Sequence, residues 1–128
     1  MAKSLWGDLS TLEIVRNPRS ILQEQADELT RATGGVLEGR VVTLNTSGGL
    51  QHQLIVVVPA LNDYSVTILL ASHLADLYPV FVLSAIERND KQGECIDETS
   101  FESELAERLS SPKVRTLLSR LKSMVVDE

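Results

Sequence analysis

The residues best suited to chemistry gather around His73, which is followed by Leu74-Ala75-Asp76-Leu77-Tyr78. An imidazole, a carboxylate and a phenol on one short stretch can bind a small ligand or move a proton. The other histidine, His52, opens a second apolar run. If the two runs are adjacent antiparallel strands, both rings fall at the same end of a sheet. A small-ligand or hydrolytic site built from His52, His73, Asp76 and Tyr78 is therefore one expectation. The competing expectation is structural: His73 and Tyr78 close the sheet end and Asp76 makes a turn.

Other motifs point away from familiar chemistry. The histidines have no His-x-x-x-His or His-Glu-x-x-His spacing, so no zinc site is expected. Glu87, Asp90, Glu94, Asp97 and Glu98 are dense, but Asp90-Lys91-Gln92-Gly93-Glu94 does not match a calcium loop and reads as solvated charge. Cys95 sits beside Glu94 and close to Asp97, which disfavours a thiolate nucleophile. Ser47, Ser72 and Ser84 lack a Gly-x-Ser-x-Gly setting. Gly34-Gly35 and Gly48-Gly49 read as a helix stop and a hairpin turn rather than a phosphate cradle. No metal and no cofactor are expected.

These candidates need a scaffold, and 128 residues suffice for one domain, residues 1–128, with a real core. Hydrophobic residues make up 43% and charged residues 23%, which fits a folded rather than a disordered chain. A formal charge of −6 opposes binding to nucleic acid or to an anionic membrane. A basic stripe would require Arg16, Arg19, Arg31, Arg40, Lys113, Arg115, Arg120 and Lys122 to converge. One cysteine suits a reducing compartment, and the first residues contain no apolar signal-peptide core. Cytoplasm is the default expectation.

The central element is Tyr64–Ala71. It alternates at first, with Tyr64, Val66, Ile68 and Leu70 on one side, and then turns apolar on both sides through Leu69 and Ala71. Such a strand belongs in the middle of a sheet. Around it the sequence predicts strands over Val36–Thr46, Gln51–Val58 and Val80–Ile86. The connections are too short for parallel crossovers, so the four strands form an antiparallel meander. Asn17-Pro18 and Gly34-Gly35 bracket a helix over Pro18–Thr33. Ser10-Thr11-Leu12-Glu13 reads as a capping box for a short helix to about Arg16, and Trp6 reads as a packing anchor. Glu87–Glu98 reads as a mobile loop. A capping box at Thr99–Glu102 starts one C-terminal helix, and Ser111-Pro112 starts a second that runs to about Val126. The fold class is α+β: a four-stranded antiparallel meander with an N-terminal helix and a C-terminal helical pair packed on it.

Both sheet faces carry apolar side chains: Leu54, Val56, Val58, Val66, Ile68, Leu70, Val80 and Val82 on one, and Ile55, Val57, Leu69, Ala71, Phe81, Leu83 and Ala85 on the other. Either helices cover both, or one face meets another chain. The apolar fourth strand at an edge favours a partner or a covering segment there. The expected function is a non-catalytic cytoplasmic binding or accessory protein, of the antitoxin, immunity-protein or adaptor kind. Its expected interface is Leu69, Phe81 and Leu83, and its expected partners are a basic protein and a second copy in a dimer.

Overall fold

The first helix starts where Asn17 and Pro18 place it in the computed structural model, which describes residues 3–88 and 90–125. The Asn17 side chain accepts the Ser20 backbone N–H, and the Ser20 hydroxyl oxygen accepts that of Asn17. Pro18 takes a position whose N–H would have no partner. Helix α1 (Pro18–Ala32) buries Pro18, Ile21, Leu22 and Ala26 along one stripe. Beyond Gly34 and Gly35 follow β1 (Glu38–Thr46), β2 (Gly49–Val58), β3 (Tyr64–His73), β4 (Val80–Ser84) and β5 (Gly93–Cys95). The strands lie in that order, each antiparallel to its neighbours. Helices α2 (Glu98–Leu109) and α3 (Pro112–Ser123) complete the described chain. The expected Val126 terminus of α3 lies outside the described residues.

The α+β meander is as the sequence predicts, but the sheet has five strands rather than four. The fifth comes from the stretch expected to be a loop. Three residues are too few to show a period, yet Val80↔Cys95 and Val82↔Gly93 pair across the edge of β4. That edge therefore has its covering segment within the chain. Cys95 points into the core and Glu94 away from it. Asp97 then caps α2 by accepting the Ser100 backbone N–H, two residues earlier than the expected Thr99 box.

The short helix expected over Thr11–Arg16 does not form. The Asp8 carboxylate accepts both the backbone N–H and the hydroxyl of Ser10 and holds a single 3-10 turn, Leu9–Thr11. The turn buries none of its residues, and so short a helix has no stability of its own. Trp6, expected to anchor packing, is 79% exposed.

Pairing register decides which side each strand residue faces, and one irregularity changes the expected assignment. Leu54 pairs with Leu69 while Ile55 pairs with Thr67, so Ile68 is a bulge in β3. Past a bulge the alternation shifts by one residue. Leu69 and Ala71, expected on the second face, therefore join Leu54, Val56 and Val82 in the core, and Leu70 moves to the other side. Ile21, Leu22, Ala26, Phe101, Leu105, Val114 and Leu121 from the three helices belong to that same core. All three helices thus cover one face of the sheet. Fully burying Phe101 alone is worth about 2–3 kcal/mol.

Candidate functional site

The β2–β3 register brings the two histidines together on the helix-covered face, at the sheet end carrying the β1–β2 hairpin. Their Nε2 atoms lie 2.7 Å apart and their ring centroids 4.8 Å apart. Both rings are buried, His52 at 1% exposure and His73 at 5%. Leu74 O accepts from His73 Nδ1 at 2.7 Å, which fixes that nitrogen as the protonated one. In the neutral pair His73 Nε2 then accepts, His52 Nε2–H donates, and the Thr43 hydroxyl donates to His52 Nδ1 at 2.8 Å. One relay runs Thr43–His52–His73–Leu74, with every ring nitrogen satisfied inside the protein and only Thr43 exposed.

Burial, the His73 ring and the Arg19 guanidinium together push the His52 pKa down to about 4. The imidazole is therefore neutral near pH 7. A second added proton on the pair would set two N–H groups against each other across the 2.7 Å contact.

The other two residues of the expected cluster lie apart from this relay. Asp76 is exposed in the β3–β4 connection. The Tyr78 ring packs against the core, and its buried hydroxyl makes no hydrogen bond within the described residues. Burial and the carboxylate of Glu98 raise the Tyr78 pKa. Sequence spacing placed the histidine pair correctly because strand register is local. Spacing gave no sign of Thr43, which needs the β1–β2 register to be seen.

None of the cavities found among the described residues is lined by His52, His73, Asp76 or Tyr78, and two of them lie against the sheet under the helices. One, of about 250 Å³, opens where β3 and β4 meet α2 and α3. Arg108 at its wall donates to Asp90 at 2.6 Å, to Glu104 at 2.9 Å and to the Lys91 carbonyl at 2.9 Å. Burial alone would raise the Asp90 carboxyl, but Arg108 and the Ser84 N–H outweigh it and hold it below the usual range. The guanidinium is thus spent on tying the 85–92 connection to α2. The second cavity, of about 190 Å³, lies between α1 and α3 over Leu54, Val56 and Ile68 and is almost wholly apolar. Among the described residues no three His, Cys, Asp or Glu side chains gather to hold a metal, and no helix is long and apolar enough to cross a membrane.

The cationic residues do not form one stripe. Arg16 pairs with Glu24, Glu98 and Glu102, Arg31 with Glu28, and Arg40 with Glu38. Lys113, Arg115, Arg120 and Lys122 share α3 alone.

The remaining surface of interest is the helix-free face. Register places Val42 and Leu44 of β1 there, with Ile55 of β2, Leu70 of β3, and Phe81 and Leu83 of β4. Gln51 and Gln53 lie between the β1 pair and the others. Val42, Leu44 and Leu83 are exposed, Ile55, Leu70 and Phe81 are half-buried, and Val57, which register also places on this face, is buried at 4% exposure. Of the three expected interface residues, Phe81 and Leu83 lie on this face, and Leu69 is in the core at 1% exposure. Alternation in the sequence predicts Ile55 on this side; Leu70 joins it only through the bulge. The chain matches no family model, no curated protein and no solved structure.

Proposed function

We propose that this protein is a non-catalytic protein-binding module whose working surface is the helix-free face of the sheet, and that it self-associates there. One observation carries the reading: among the described residues the three helices share one face, while on the other Val42, Leu44 and Leu83 are exposed and Ile55, Leu70 and Phe81 half-exposed, with Val57 buried beside them. Aliphatic and aromatic side chains grouped on one side of a sheet gain free energy only by meeting another apolar surface. The charges around that face are few, an Arg40–Glu38 pair and Glu94, so contact there rests on apolar burial. The net charge of −6 would draw a basic partner toward the chain by long-range attraction. The reading centred on His52 and His73 has weaker support, because every ring nitrogen there is already engaged within the protein.

Sedimentation of the purified chain over a wide concentration range tests the proposal. Wild type is expected to dimerise. Leu83→Lys is expected to raise the dissociation constant at least about tenfold. Its unfolding midpoint should hold to within about 1 kcal/mol of stability, because position 83 is already in contact with water. Identical monomers for both chains at every concentration would defeat the proposal.

A further inference from the structure

The chain carries a second exposed apolar surface: Leu5, Trp6, Leu9, Leu12, Ile14 and Val15, upstream of α1. Their exposures run from 50% at Leu9 to 101% at Ile14, and the 3-10 turn among them buries nothing. We infer that this N-terminal arm lies across the helix-free sheet face of a second copy, so that two chains exchange arms. The inference rests on the proposed role of that face and names what covers it.

Three features of the chain favour this occupant. Amount comes first. Large apolar side chains bury on the order of 100–200 Å² each, so six give about 800 Å², the share one partner contributes to a standard specific interface. Reach is the second. The eleven residues Leu5–Val15 extend to about 36 Å at ~3.3 Å per residue, enough to cross five strands spaced about 4.8 Å apart. The third is direction. Arg16, at the root of the arm, bonds to Glu24 of α1 at 2.8 Å and to Glu98 and Glu102 of α2 at 3.2 and 2.5 Å. The arm therefore leaves from the helix-covered side, with the sheet between its root and its own open face. A neighbouring chain presents that face without the detour.

Trp6 is the sole tryptophan and reports directly on the arm. Its emission is expected to shift to the blue, and its quenching by acrylamide to fall, in step with dimer formation as concentration rises. Two variants separate the parts. Ile14→Ser with Leu12→Ser disables the arm without touching the core, and Leu83→Lys disables the face. Each alone is expected to weaken self-association at least about tenfold, and mixing the two is expected to restore a dimer, since one chain keeps its arm and the other its face. Dimers that survive the arm variant but not the face variant would overturn the arm inference and leave the open-face proposal standing. A blue-shifted Trp6 in a strict monomer at every concentration would place the arm on its own chain and overturn the exchange. Insensitivity of the dimer to both variants would overturn both readings.

Discussion

Replacing Gly39 with alanine is expected to remove about 3 kcal/mol or more of folding stability, the largest effect of any single added methyl group in this chain. A Cβ built at this position would lie 2.5 Å from Cα and 2.7 Å from the carbonyl carbon of Ala26. Those are backbone atoms of α1 and cannot swing aside as a side-chain tip can. The helix lies directly on β1 here, and the Gly39 N–H donates to the Thr30 hydroxyl at 3.0 Å. To admit the methyl group, α1 must lift, loosening Ile21, Leu22 and Ala26 from Leu54 and Val56 together. Urea unfolding measures the loss. Alanine at the exposed turn residue Gly48, whose φ is 82°, carries only the smaller penalty of a left-handed backbone. A Gly39→Ala chain as stable as wild type would show that α1 does not seat on β1.

The second large effect is a loss of stability in mild acid that originates at His52. Its folded pKa is about 4 against 6.5 for an unfolded histidine. Between those values the unfolded chain binds the extra proton, so stability must rise with pH across the window. The contribution is complete above about pH 6.5, falls as pH drops, and is gone near pH 4, for a total of about 3 kcal/mol. Carboxylates held below their usual range, such as Asp90 and Glu24, lose their contribution only at lower pH, near and below about 4. The two sources are thus separable by window. His52→Gln keeps a donor for His73 Nε2 but cannot titrate. It should start less stable at pH 7 and lose much less between pH 6.5 and 4.5, as followed by the urea midpoint. An unchanged slope in that variant would place the acid sensitivity elsewhere.

Local signals of helix and turn were readable directly. Asn17-Pro18, Gly48 and Ser111-Pro112 act through neighbouring backbone atoms, and the elements they start or join lie where the sequence predicts. The histidine pair was legible for the same reason, since two adjacent antiparallel strands bring His52 and His73 to one end whatever the rest of the fold does. Three features were not readable. The bulge at Ile68 leaves no mark in a run of apolar residues, yet it exchanges the faces of Leu69 and Leu70. Strand β5 is held by its pairing with β4, a tertiary cause with no local period. The arm carries a capping pattern at Ser10–Glu13, but a cap cannot sustain a helix that buries nothing. In each case the deciding partner lies far away in sequence.

Cysteines at neighbouring positions of β4 read directly whether the sheet has one covered and one open face. Val82 is fully buried, Leu83 is 37% exposed, and the native Cys95 is buried with its thiol pKa raised by burial and by Glu104. In dilute solution Leu83→Cys should react with a thiol reagent about 100-fold or more faster than Val82→Cys, whose reaction requires an opening that costs several kcal/mol, while Cys95 stays silent. Raising the protein concentration should then protect Leu83→Cys as the dimer forms. Equal, slow reaction at both positions in the dilute monomer would mean that the second face is covered within the chain, and the open-sheet account would fail.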